Sequence, residues 1–358
     1  MSKYIIIVIC LFVPLGVFSQ TNVVKTTAMK SNNYGVTYFL PKTKLVVDAR
    51  VTKTTYKTGP YYRYAQKYLG VNELILEDRI EYSLDAVTVT TIGVPDRSQA
   101  YLIEFKARTT APFAYLTEDG LLCTINAEYQ PEQKQTKTIQ PAEELRISAQ
   151  SIFTEEYLQA GSVGKMAELS AKQIYRLRES RMDLLTGEAE NMPRDGEAMK
   201  LVLQQLDAKE KALVEQFVGS ITTEEQRYEI DLLPEDEINE NILFRFSKHL
   251  GIVGADDLSG VPVYINVTPL ERAVVTTNPK VLAQQEKTKQ QPKGIIYSIP
   301  GKTRVEVFAG VERVYTNEFL MPQFGDTQIL GPNIFDDKKA PVKVFFHPET
   351  GALKQVIQ

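Results

Sequence analysis

Few residues in this chain are of a type that does chemistry, and most of those stand alone. The two histidines, His249 and His347, are far apart. Neither has the HxxxH or HExxH spacing that sets two metal-binding groups on one helix face. His347, in FFHPETG, reads as a turn residue between two strands, and His249, after FRFSK, as a strand-end surface residue. There is no GxSxG nucleophile elbow. Cys123 lies in LLCTINA, where a free thiol behaves as a small buried hydrophobe. QAGSVGKM ends in Gly-Lys, but Gln159 stands where a phosphate loop needs its first glycine. Met166 replaces the magnesium-binding Ser/Thr, so the segment reads as the start of a helix. The sequence therefore assigns no catalytic residue, metal ligand or cofactor.

Carboxylates are the remaining route to catalysis, since glycoside hydrolysis needs an Asp/Glu pair at suitable spacing. Glu77-Asp78 and Asp256-Asp257 are candidates. Adjacent acids on a strand point to opposite faces, so neither pair can cooperate without a special loop geometry. The acidic run PEDEINEN (234–241) lacks the glycine turn and ordered spacing of a calcium loop and reads as a solvated connection.

The one dense constellation is GPYYRYAQKYLG (59–70), with four tyrosines among basic and amide side chains. Such interleaving serves nucleic acid, a sugar platform, a membrane edge or an amphipathic turn of helix. Pro60 suits a first helical position and Gly70 a C-terminal cap. Between them Tyr61, Tyr64, Ala65 and Tyr68 share one face, and Arg63, Gln66 and Lys67 point elsewhere. The spacing predicts a short helix laying tyrosines against the β domain. Tyr61, Tyr62, Arg63, Tyr64, Lys67 and Tyr68 form the candidate interaction surface, and Tyr62, off the packed face, is the residue to test.

The elements that would position these residues fall into blocks. Residues 34–52, 79–92 and 100–107 carry strand alternation, and Asp119-Gly120 between two apolar runs marks a hairpin. Residues 20–129 thus read as an N-terminal β domain, and the polar, proline-flanked 130–142 as a linker. A helical region follows at 143–221. Apolar stripes at 165–185 and 196–218 predict an antiparallel helical hairpin with Gly187 and Gly219 as stops and Asp195 as an N-cap. Lys209 and Glu210 interrupt the second stripe. Residues 222–358 return to strands as a C-terminal β domain, with a polar excursion at 276–293. The expected fold is α+β, mainly β: two antiparallel β-sandwich-like domains flanking a central helical hairpin. GVTYFLPKTKLVVDARV (35–51) also matches GIIYSIPGKTRVEVFAGV (294–311), which suggests an internal duplication.

The N-terminus, MSKYIIIVICLFVPLGVFSQ, has one cation, Lys3, then an apolar run too short to span a membrane and a Pro-Gly break. It reads as a signal peptide cleaved after residue 19. Removing those 19 of 358 residues leaves 339 and takes away Lys3, moving the net charge from −4 to −5. A mildly acidic chain is a poor partner for nucleic acid. Cys10 leaves with the signal, so Cys123 has no partner for an internal disulfide. No later segment is long and apolar enough for a transmembrane span.

Two stretches carry a family resemblance: GPYYRYAQKYLGVNELILED with VTTIGVPD after it, and IYRLRESRMDLLTGEAENMPRDGEAMKLVLQQLDAKEKALVEQFVG. The chain resembles the exported proteins of Bacteroidota grouped as domain-of-unknown-function family 4831, from about Gly35 to HPETGALKQV. The resemblance implies an envelope setting, in the periplasm or at the outer membrane, and brings no catalytic residues. Two functions remain open. One is a non-catalytic interaction or assembly module whose partner is another envelope protein or glycan. The other is a carboxylate-dependent hydrolase or binder of envelope glycan.

Overall fold

The computed structural model describes residues 23–25, 35–104, 114–130, 147–193, 195–270, 294–331 and 342–357. The expected signal peptide, the linker beyond residue 130 and the 276–293 excursion lie outside the described residues. Two long hairpins form the frame. β2 (Gly35–Lys57) pairs antiparallel with β3 (Arg79–Glu104), and β10 (Ile295–Ala309) with β11 (Glu312–Leu330). At 23 residues, β2 spans roughly 75 Å. Its inward residues Leu45, Val47, Ala49 and Val51 alternate with half-buried or exposed neighbours, as a strand with one buried face requires.

The other strands extend these hairpins into sheets. β1 (Val23–Lys25) pairs with β3, and β6 (Ser220–Leu232) runs beside β2, giving the order β1-β3-β2-β6. β7 (Ile238–Ser247), β8 (Gly251–Val253) and β9 (Val261–Pro269) complete a second sheet, β11-β10-β9-β7-β8. A third, β13-β12-β5-β4, joins β4 (Ala114–Leu116) and β5 (Leu122–Ile125) to β12 (Lys343–Phe346) and β13 (Leu353–Ile357).

The chain is thus α+β and dominated by antiparallel sheet, with a central pair of packed helices between sheet regions, and its β segments are cross-paired. β6 belongs by sequence to the C-terminal segment and pairs with N-terminal β2, and β12 pairs with β5. The reason is that each long hairpin has a single apolar face. Leu45, Val47, Val87 and Val89 of the first sheet pack on Val263, Ile265, Val305, Val307 and Met321 of the second, in one shared core. The third sheet closes one end, where Leu122, Ile125, Val344 and Phe346 pack on Tyr38, Ile103, Ile295 and Leu330.

Side chains join the two hairpins where the strand ladders stop. β6 reaches β2 only from Leu45, and Gln323 of β11 takes its place at Thr43, accepting from the amide (2.9 Å) and donating to the carbonyl (2.8 Å). In return, β9 reaches β10 only from Thr303, and the Tyr38 hydroxyl takes its place at Ile296, 3.0 Å from both amide and carbonyl.

The helices gather at the other end of β2. α3 (Val163–Thr186) starts at N-cap Ser162, whose side chain accepts from the Lys165 amide, and stops at Gly187 (φ 82°). α4 (Gly196–Val218) starts at Asp195, which accepts from the Ala198 amide, and stops at Gly219 (φ 94°). Gly187, Asp195 and Gly219 are the boundaries that the sequence predicts. Glu210, out of place in the apolar stripe, meets Arg178 of α3 at 2.7 Å, and Asp207 meets Arg181 at 3.2 Å.

Candidate functional site

The tyrosine stretch forms a 3-10 turn (Tyr62–Tyr64) running into α1 (Ala65–Leu69), capped by Gly70 in the left-handed region (φ 68°). The predicted face is the buried one, but it does not meet a β sheet. Tyr61 and Ala65 are buried in a core with Ile174, Leu213 and Phe217 of the helical hairpin, and Tyr64 and Tyr68 pack against it. β2 ends at Lys57, beside Ser220 at the start of β6, so the chain emerges next to the end of α4. There the Tyr61 amide donates to Gln216 (2.8 Å) and its ring packs on Phe217. Its hydroxyl is hydrogen-bonded to that of Tyr157, in α2 (Glu155–Leu158). Burial, reinforced by this hydroxyl partner, pushes the Tyr61 phenol above its ordinary range.

Of the six candidate residues, Arg63 and Lys67 are therefore exposed, Tyr62 is half-buried, and Tyr61, Tyr64 and Tyr68 serve the core. Arg63 donates to the Tyr62 hydroxyl (3.0 Å), and Lys67 sits 5.0 Å from the centre of the Tyr68 ring.

The distal half of the helical hairpin is a surface the sequence did not single out. Its apolar stripes continue past the elements that cover them. In α3 the face of Ala167, Ala171 and Ile174 returns at Leu185, and in α4 the face of Leu213 and Leu206 returns at Val202. Near the base these faces meet Tyr61, Ala65, Phe153 and Tyr157. Toward the turn Met182, Leu185 and Leu201 are 60%, 59% and 57% exposed, and Met192 and Val202 are exposed beside them. Residues 182–202 also carry five acids (Asp183, Glu188, Glu190, Asp195, Glu197) against Arg194 and Lys200.

One carboxylate of each pair named from sequence takes a local role. Asp78 accepts from the Thr58 amide (2.7 Å), which holds its carboxyl below the usual range. Asp257 accepts from the Ser259 amide (2.9 Å), with the same effect from the Ser259 side chain and amide. Of PEDEINEN only PEDE lies between β6 and β7, with Glu235 3.6 Å from Lys42, and INEN opens β7. His249 is exposed in the β7–β8 turn and His347 opens the β12–β13 turn. Cys123 is buried in β5, and desolvation pushes its thiol up to about 11. Among the described residues no three His, Cys, Asp or Glu side chains gather as a metal site, and no helix is long and apolar enough to cross a membrane.

The arrangement of long hairpins, clasped ends and helical hairpin runs through nearly the whole chain, and so does its likeness to one family. The family described as domain of unknown function (DUF4831) matches residues 34–354. The chain belongs to the DUF4831 family. The match begins one residue before β2 and reaches into β13, so the DUF4831 region contains both long hairpins, the helical hairpin and the tyrosine turn. No curated protein and no solved structure matches the chain.

Proposed function

We propose that this DUF4831 chain is an exported, non-catalytic interaction or assembly module of the cell envelope, and that the distal half of the α3–α4 hairpin is its contact surface. The observation that carries this reading is the exposure of Met182, Leu185, Leu201 and Val202, where helix stripes that are buried at the base run on to exposed positions among the described residues. Clustered exposed apolar side chains rimmed by charge mark protein contact sites. The five acids of residues 182–202 select a partner with apolar anchors and cationic flanks, and they disfavour an anionic lipid surface. Tyr62, Arg63 and Lys67, on the outer side of the turn that buttresses the hairpin, form a second contact patch.

The internal duplication suggested by the sequence belongs with this reading, because it supplies a rigid frame. The corresponding residues Phe39 and Ser298 each donate an amide to the glycine of a short hairpin turn, Gly120 at 2.9 Å and Gly351 at 3.0 Å. The test is co-purification from native envelopes. Leu185→Glu with Leu201→Glu is expected to release a partner that the parent chain retains, with the melting temperature unchanged. Equal recovery of the same partner by parent and variant would overturn the assignment of this surface.

A further inference from the structure

The two short hairpin turns do more than brace the frame, because they face each other across a cleft. Residues 117–120 join β4 to β5 and residues 347–351 join β12 to β13. In each, the first turn residue donates its amide across the turn, Thr117 to Leu121 and His347 to Ala352, both at 2.9 Å. Each turn is anchored from behind, by Phe39 and Ser298, and the second also presses on β3, where a Cβ at Gly93 would lie 2.6 Å from the Glu349 Cα. Between them is a cleft of about 780 Å³. That volume falls within the roughly 300–1,000 Å³ of small-ligand sites.

The lining is divided by depth. Buried Leu121, Cys123, Thr124 and Phe346 form the floor, whereas the rim residues Asp119, Glu128, Gln130, Glu349, Lys354 and Gln355 are exposed. Half-buried Tyr129 stands at one side, its ring 5.8 Å from that of Tyr115. Carboxylate and amide side chains accept from and donate to neighbouring hydroxyls, and an aromatic ring offers a face for C–H groups. Three rim carboxylates against one lysine disfavour phosphate, sulfate or uronate. Exposed Ile92 and Leu320 also line the mouth, so apolar surface stands beside the polar rim groups.

We infer that the cleft between the 117–120 and 347–351 turns binds a short neutral oligosaccharide. The site is separate from the hairpin surface and does not depend on it. Binding rests on hydrogen bonds from the rim and requires no bond cleavage.

Calorimetric titration of the exported chain with maltotriose, cellotriose and chitotriose, and with trigalacturonate as the anionic probe, tests this. At least one neutral trisaccharide is expected to bind, and more tightly than trigalacturonate. Asp119→Ala is expected to weaken it about tenfold, the loss of roughly one hydrogen-bonded contact. Gln355→Ala, on an exposed edge strand remote from turn folding, guards against a folding artefact and is expected to weaken binding too, whereas Glu188→Ala on the helical hairpin leaves it unchanged. No heat from any neutral trisaccharide at roughly 10 mM, a concentration that still detects millimolar affinity, would overturn the proposal. So would tighter binding of trigalacturonate, or binding indifferent to both cleft variants.

Discussion

The hydroxyl of Tyr38 lies 3.0 Å from both the amide nitrogen and the carbonyl oxygen of Ile296, 258 residues away, donating to one and accepting from the other. A single side chain thereby completes the edge of β10 where β9 has not yet arrived. Tyr297, which the sequence match sets against Tyr38, instead reaches Gln328 at the surface.

Tyr38→Phe removes both bonds and leaves two buried peptide groups unpaired. The expected loss is about 1–3 kcal/mol of unfolding free energy, read from urea denaturation. Tyr297→Phe keeps the half-buried ring and loses only an exposed hydroxyl bond, so the expected change is no more than about 0.5 kcal/mol. Equal effects would contradict the role given to Tyr38.

Gly351 links the β12–β13 turn to both long hairpins. Its φ is 65°, and a Cβ there would meet Pro41 Cδ at 2.7 Å. The left-handed backbone costs an alanine roughly 1–2 kcal/mol, and overpacking adds about 1–3 kcal/mol. Gly70 has φ 68° with open space around it, so Gly70→Ala is expected to show the backbone cost alone. Thermal or urea unfolding of the two variants side by side measures the difference.

Alkaline pH is expected to unfold the chain through its buried phenols. Burial raises Tyr38 and Tyr61 above the ordinary tyrosine range. With the folded value raised, their contribution is complete below about pH 10 and is lost as pH rises above it, where the unfolded chain sheds protons that the native one holds. In a titration of tyrosinate absorbance, the last phenols should ionise together with the loss of circular dichroism. Their full ionisation in a folded chain would contradict this burial.

Cys123 is expected to resist iodoacetamide at mildly alkaline pH. Its thiol is buried and, with its value pushed up to about 11, stays protonated. Modification should follow the denaturant unfolding curve. Rapid labelling of the native chain would show the floor of the cleft to be open.

Much of this architecture is legible in the sequence wherever a local rule decides it. Asp195 and Gly187 mark helix ends, Asp119-Gly120 makes its turn, and alternation places Leu45, Val47 and Ala49 inward. Pairing partners are not legible, because alternation tells which face is buried and not against what. The tyrosine turn buries its predicted face, yet against helices and not a sheet. Likewise Gly93 and Pro95 look like a strand break, but Pro95 pairs with Pro41 at a register shift and β3 runs through it. The cleft is invisible in sequence, since Asp119, Glu349 and Tyr129 are unremarkable until two distant turns meet. At the end of the helical hairpin the stripe through Leu185 and Val202 reads as core, and only the structure shows that it stands exposed among the described residues.

Site-specific photocrosslinking in intact cells tests the central claim most directly, with the photoreactive residue at Leu185, at Leu201, or at exposed Val314 of β11. The account predicts one and the same adduct from Leu185 and Leu201, to a protein segment with apolar anchors and basic flanks, and none of it from Val314. No adduct from either hairpin position, or the same adduct from all three, would contradict it.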